Sequence, residues 1–550
     1  MFSRRFRRRW ASYSWRGGPI YPDRSIGNSV IIMRLPHTPA GTVTNSPPPP
    51  PTAPKPLPNI KSIRLNPELH AQNCANRNYP HLIQAPYRIA QLYEEWASLQ
   101  TSLRAERERH NSLSSRVRAA SPLKSTLVGD KVDETREQML AEAKELKAKI
   151  TQVEAQELAL EDEMRELALQ LPNTTHPETP VGDVPRILGY INEHLLPVLP
   201  ASLVSSAKPF PGHQKSHIQI GQELHLLDFS AAATVSGWGW YFLMNEAVLL
   251  EQALINYALH LALKQGWKLV TPPSIVYSHI GSACGFKPRD QNGEQQVYTL
   301  QQATRHQGTK PELSLAGTAE IPLAAMYANK VFSEVEFPTK TVGVSRCYRA
   351  EAGARGVESK GLYRVHEFTK VEMFAWTLPD PAPASLATHD RGDTTGIQTI
   401  ATEESPTPGE KMFSEMLHFQ TTILTSLHLP ARILSMPTTD LGASASNKVD
   451  IEAYMPSRFA TAAGPWGEVS SLSNCLDYQS RRLNTRVRMK DVGSVKKSEF
   501  PYTLNGTAIA VPRVLLAILE NCWDESLQGV VVPEVLRPWM GGVELIKKKH

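Results

Sequence analysis

The chain has 550 residues, 41% hydrophobic and 21% charged, with a formal net charge of +5 and five cysteines. That length exceeds one ordinary core and points to two or three structural units of a soluble globular protein. No long uncharged apolar run reads as a membrane span, and five scattered cysteines without a C-x-x-C pair argue against a disulfide framework or a structural zinc site.

The first sixty residues hold nine basic residues against one acidic, a net +8, which leaves −3 for the remainder. The body is therefore not broadly basic, and any RNA contact must come from local patches. A leader rich in Arg, Ser and aromatics and almost free of acid has the composition of a mitochondrial transit peptide. An RNA-binding basic arm is the competing view. Pro47 to Pro58 reads as a polyproline-like spacer, so residues 1–58 are taken as transit peptide and spacer.

Two helical patterns follow within residues 59–178. Leu92, Trp96, Leu99, Leu103, Glu106, His110, Leu113 and Val117 recur at steps of four and three. Met139, Ala143, Leu146, Ile150, Val153, Glu157, Leu160, Met164, Leu167 and Leu171 do the same. Such a seam predicts coiled-coil helices. Ser121 to Asp130 breaks helix chemistry and would be the tip of an antiparallel two-helix arm.

Residues 179–550 form the second large region. Glu246 to Gln265 reads as a helix, amphipathic because Glu251, Gln252, Asn256 and His260 interrupt its apolar run. Trp267 to Val270 reads as a strand stopped at Pro272-Pro273. Strand-rich patterning beyond it predicts an α+β fold, an antiparallel sheet flanked by helices. Residues 379–410, rich in Pro, Ala, Thr, Ser and Gly, read as a disordered insertion.

The most informative stretch lies between Val344 and Trp376. Arg364, His366, Phe368, Lys370 and Glu372 alternate, which is the period of one face of a strand, here placed from Leu362 to Trp376. An apolar core would not choose these types. A solvated sheet face is the plain reading. A nucleotide site is the sharper one, with cations for phosphates, a ring for a base and a carboxylate for an amine.

Arg349-x-Glu351 followed by Arg364-x-His366-x-Phe368-x-Lys370-x-Glu372 resembles motif 2 of class II aminoacyl-tRNA synthetases, in the form found in seryl-tRNA synthetases. Thr318-Ala319-Glu320 is similar to that family's serine-binding segment. Glu468-Val469-Ser470-Ser471 resembles its metal and ATP segment. Thr503 to Thr507 with Arg513 and Glu520-Asn521 resembles motif 3, and the helix and strand before Pro272 resemble motif 1, the dimer interface. The resemblance runs from about Asn59 to Gly542.

The resemblance implies ATP-dependent activation of L-serine and its transfer to serine tRNA by a mitochondrial matrix homodimer with no membrane attachment. It implies a class II catalytic domain behind a tRNA-binding arm, with Arg104, Arg107, Arg109, Arg116, Arg118, Lys124 and Lys131 as candidate phosphate contacts. Arg349 would meet the α-phosphate and the serine carboxylate, with Ala350 beside it. Arg364 and Arg513 would hold the outer phosphates. Phe368 would stack on adenine, with Glu351 and the Val365 backbone near its amine. Glu468 and Ser471 would bind Mg²⁺, with Val469 and Ser470 in the ATP-binding segment. Thr318 and Glu320 would hold the serine amino group, with Ala319 in the same serine-binding segment, and Glu372 and Thr507 its hydroxyl. Trp238-Gly239-Trp240-Tyr241 departs from the family by lacking an arginine. A catalytically silent relative acting as an RNA- or protein-binding module is the alternative. The presence of Arg349, Glu351, Glu372, Glu468 and Arg513 argues against it.

Overall fold

The computed structural model describes residues 49–119, 131–197, 215–286, 296–306, 308–351, 360–380, 405–459, 464–489 and 498–549. The leader up to residue 48, the hairpin tip and residues 381–404 of the expected insertion lie outside them. Among the described residues no helix is long and apolar enough to cross a membrane.

The two heptad patterns fold as α1 (Ala85–Ala119) and α2 (Lys131–Gln170). Cross-helix pairs fix the direction: Arg88 meets Glu163, Arg107 meets Glu154 and Arg109 meets Glu142. Partners early in α1 face residues late in α2, so the helices are antiparallel. Leu92, Leu103 and Leu113 are buried on α1, and Leu146, Met164 and Ala168 on α2. All but Ala168 are the expected seam positions, and their burial stabilises the hairpin, since isolated helices are marginal in water. At the base, Ile63, Cys74, Leu82 and Ile89 pack against Ala168 and Leu171.

The body is built on eight strands: β1 (Arg186–Ile191), β2 (Lys268–Val270), β3 (Thr339–Tyr348), β4 (Glu367–Thr377), β5 (Ala431–Ser435), β6 (Asn447–Tyr454), β7 (Trp466–Leu476) and β8 (Tyr502–Ala510). Their order across the sheet is β1-β5-β6-β7-β8-β4-β3-β2. Only the β2–β3 pair is parallel. The expected strand from Leu362 is corrected: β4 starts at Glu367, and Arg364 and His366 lie in the turn before it.

Period-two patterning then sorts β4. Val371, Met373 and Ala375 enter the main core, against α3 (Glu246–Lys264), α5 (Pro408–Ser426) and α7 (Val511–Asn521). On the opposite face, Phe374 and Trp376 pack with Ile321 and Leu323 of α4 (Glu320–Ala325) and with Leu483 of α6 (Tyr478–Leu483). Phe368, Lys370 and Glu372 lie on that same face, next to the apolar patch.

Candidate active site

The Phe368, Lys370 and Glu372 face is 8%, 6% and 2% exposed, so it is not a solvated sheet face. Charge taken out of water needs a partner, and Lys370 pairs with Glu372. Thr507 of β8 stands directly opposite Glu372 in the strand register.

Above this floor runs a cleft. The turn before β4 contributes Arg364 and Val365, and the end of β3 contributes Arg349 and Glu351; β7 adds Glu468, Val469 and Ser471, and the start of α7 adds Arg513. Arg349 donates its backbone N–H to His366 O at 2.9 Å, and its guanidinium lies 5.2 Å from the Phe368 ring centre. Glu351, held at a positive φ of 47°, pairs with Arg364 Nε at 2.5 Å. The two groups expected to meet opposite ends of ATP therefore meet each other.

Arg513 is placed by the tight β8-to-α7 junction. It donates to Tyr363 O at 3.1 Å and to Glu468 O at 3.0 Å, and its Nη1 lies 3.2 Å from Glu468 Oε2. Burial would raise the Glu468 carboxyl, but Arg513, Lys448 and Arg349 outweigh it and hold the carboxyl below its ordinary value. Glu468 and Ser471 offer oxygen donors only. Among the described residues no cluster of three His, Cys, Asp or Glu side chains could cage a metal by itself. A carboxylate and a hydroxyl lining one cleft suit Mg²⁺, which keeps few protein ligands and takes substrate oxygens and water for the rest.

Glu320 sits at the head of α4, accepting from Gln479 Nε2 at 2.7 Å and Asn505 Nδ2 at 3.1 Å. Burial and then the charge of Glu372 push its carboxyl up to about 8, against the pull of Lys370. Several of the expected residues also bond within the protein. Thr318 Oγ1 accepts from the Glu320 N–H at 3.2 Å, a local side-chain turn just before the helix. Ala319 is fully buried. Ser470 Oγ donates to Thr507 O at 2.5 Å, inside the sheet. Ala350 offers its backbone N–H to Gln296 O at 3.2 Å.

The sequence reading assigned no role to several groups that shape this site. Gln479 and Asn505 are two. Lys448 is a third: its Nζ lies 2.9 Å from Asp450 Oδ2 on β6, one strand from Glu468. Lys448, Asp450 and Glu452 alternate as the β4 charges do, so the same signal was available. His217 is a fourth. Its Nδ1 donates to Glu520 Oε1 at 2.7 Å while Leu362 N–H donates to its Nε2 at 3.2 Å, tying α7 to the turn before β4. Ser457 Oγ completes that knot, donating to the same carboxylate at 2.6 Å. In the unusual Trp238-Gly239-Trp240 segment, the Trp240 ring stacks on His366 at 5.8 Å and Trp238 meets it edge-on at 6.1 Å. His366 donates its N–H to Gly239 O at 3.0 Å and its Nδ1 to Arg349 O at 3.0 Å.

Comparison with known proteins gives consistent matches. Residues 58–175 match the family model of the seryl-tRNA synthetase N-terminal domain. Residues 298–389 and 398–522 match the class II tRNA synthetase core domain (G, H, P, S and T). The chain is 41% identical over 412 residues to the mitochondrial serine–tRNA ligase of Saccharomyces cerevisiae, covering 74% of this chain and 79% of that protein. It is 38% identical over 492 residues to the mitochondrial serine–tRNA ligase of Schizosaccharomyces pombe, covering 89% and 90%. Among solved structures, seryl-tRNA synthetase from Pyrococcus horikoshii complexed with ATP superposes with a TM-score of 0.73 at 30% identity, covering 90% of this chain and all of that one.

Proposed function

Because the chain belongs to the seryl-tRNA synthetase family, we infer that it activates L-serine with ATP and transfers the seryl group to the 3′ end of serine tRNA in mitochondrial translation. The matrix is its compartment. One observation carries the reading of the site: an arginine-lined cleft opens beside two buried carboxylates, Glu320 and Glu372. A triphosphate fits the first environment and a small ammonium-bearing substrate the second.

Activation brings a carboxylate to the α-phosphorus of ATP, two anions that repel. Arg349 lies at the junction of cleft and carboxylate pocket, so it neutralises both and holds the attacking oxygen in line. Pyrophosphate leaves as the new oxygen–phosphorus bond forms, and no general base is needed because the nucleophile is already ionised. Arg364 and Arg513 take the outer phosphates. Arg364 is freed when Glu351 exchanges it for the adenine amine, and Phe368 offers its ring to the base. Glu468 and Ser471 would hold Mg²⁺, which would supply further neutralisation of phosphate charge. In the second step the terminal ribose hydroxyl of the tRNA attacks the seryl carbonyl and AMP leaves.

Glu320, held by Gln479 and Asn505, receives the serine ammonium, while Thr318 and Ala319 fix Glu320 at the helix head. Glu372 and Thr507, opposed across β4 and β8, take the hydroxyl. Alanine would offer no hydroxyl to these buried groups, which is a strong basis for rejection.

Residues 59–178 act as the tRNA-binding arm and 179–550 as the catalytic domain. The protein works as a homodimer, a reading supported by exposed Val248, Leu249 and Leu263 on α3 and Leu269 on β2, at 40%, 45%, 57% and 39%. The silent-module alternative has no feature in its favour. Serine-dependent ATP–pyrophosphate exchange, compared with threonine, alanine and proline, tests the activity. Exchange with serine alone is expected, and no exchange from folded protein would refute the reading.

A further inference from the structure

The arm joins the catalytic domain at α6, and Arg482 of that helix is 7% exposed. Its Nη2 reaches the arm, donating to Leu169 O at 3.3 Å and Leu171 O at 3.5 Å, while its Nη1 donates to Tyr478 O at 3.1 Å. The guanidinium also lies 3.3 Å from the Tyr478 ring centre. Leu169 and Leu171 flank Gln170, where α2 ends. The last carbonyls of a helix have no partner within it, and Pro172 brings no N–H to supply one. A cation at this point satisfies them and suits the negative end of the helix. We propose that Arg482 is a positioning residue for tRNA charging: it clamps the C-terminal end of the arm to α6 and so sets the direction in which the arm leaves the catalytic domain.

The inference rests on the ligase reading and on the arm's tRNA-binding role, and adds a residue to which neither assigns a part. Leverage makes the base of the arm decisive. The 40 residues of α2 span about 60 Å, so a tilt of about 5° at the base moves the far end by about 5 Å. Such a shift takes basic side chains off the phosphates they would meet. The same helix also faces the serine site, since Gln479 donates to Glu320 Oε1 at 2.7 Å. One short element therefore carries both the arm's end and a support of the amino-acid pocket. The planar fork of arginine bonds the arm with one terminal nitrogen and α6 with the other, a bridge that the single nitrogen of lysine cannot make.

A second set of bonds holds the chain just beyond the arm. Arg77, 1% exposed at the end of the helix Pro67–Asn76, donates to Asn173 O at 2.6 Å and Gly442 O at 2.5 Å. Asn173 donates its side-chain amide to Ser444 O and Cys475 O, both at 2.8 Å, and its backbone N–H to Ala443 O at 2.9 Å. These contacts fix the connecting strand of chain. Arg482 alone among these groups grips the end of α2 itself, which is why the arm's direction is assigned to it.

The test uses the full-length protein and a serine tRNA transcript. Arg482→Ala should raise the KM for tRNA in charging about tenfold, because a displaced arm gives up phosphate contacts. Serine-dependent ATP–pyrophosphate exchange, which needs no tRNA, should stay within about twofold of the unaltered protein. Arg482→Lys, which keeps the charge but bonds to one side only, should raise the tRNA KM as well, and it carries the test on the same terms if the alanine variant fails to fold. An unchanged tRNA KM in a folded variant would overturn the proposal. Exchange falling as far as charging would also overturn it, since that marks a general loss of structure. Arg107→Ala measured alongside reports on the arm itself: no change there would overturn the arm's role in addition. Absence of both exchange and charging in the unaltered protein would instead overturn the ligase reading, and this inference with it.

Discussion

The arm and the β4 face are both rich in paired charges, yet the pairs differ in kind. On the arm, Arg107–Glu154 and Arg109–Glu142 keep between 41% and 67% of their side-chain surface exposed. In the sheet, Lys370 and Glu372 keep 8% and 2%. Exposed pairs are screened and contribute about 1 kcal/mol or less. Their arginines can exchange a carboxylate for a phosphate at little cost, as the tRNA-binding role proposed for the arm requires. The buried pair cannot relax in that way. The fold sustains its desolvation so that charge is already in place when the substrate arrives.

The largest effect should come from the buried side of this contrast. Arg349→Ala is expected to lower serine-dependent exchange at least about a hundredfold, and near-normal turnover would refute its role. Next is His217→Ala, which strips a donor from buried Glu520 and frees the turn at Leu362. Denaturant unfolding should show a loss of about 2–3 kcal/mol, whereas an unchanged midpoint would mean the knot is dispensable.

A pH effect of intermediate size follows from Glu320. Its carboxyl, pushed up to about 8, must be ionised to meet an ammonium. It is mostly protonated at neutral pH and gains charge as pH rises towards 8, so serine KM should fall over that window. Glu320→Gln should weaken serine binding and flatten the profile, and a flat profile in the unaltered protein would contradict the assignment. The smallest effect belongs to the arm. Arg107→Ala should shift stability by less than about 1 kcal/mol but reduce the salt slope of tRNA binding by about 1. An unchanged slope would remove Arg107 from the RNA surface.

Periodicity made much of this legible. The seam residues Leu92, Leu103, Leu113, Leu146 and Met164 are buried as the heptads predicted, and Glu246 to Gln265 is a helix ending one residue early, at Lys264. Alternation located Phe368, Lys370 and Glu372 but carried the strand too far back, because Arg364 and His366 keep the spacing while the chain turns. Burial was the part periodicity could not supply. A polar row reads the same whether it faces water or a pocket, and only the packing of α4 and α6 over that face decides. Groups that act through distant partners were equally hidden: His217 lies 303 residues from Glu520, and Gln479 lies 159 residues from Glu320.

The Trp238-Gly239-Trp240 segment has an optical consequence. Gly239, at φ +82°, leaves no room for a side chain, since a Cβ there would lie 2.5 Å from the His366 ring. The two indoles are therefore clamped against an imidazole whose backbone and ring both bond to Arg349. Indole emission responds to the groups packed against the ring, so movement of Arg349 and His366 should register as a change in intrinsic fluorescence. Trp238 and Trp240 thus stand as intrinsic fluorophores against a residue bonded to Arg349.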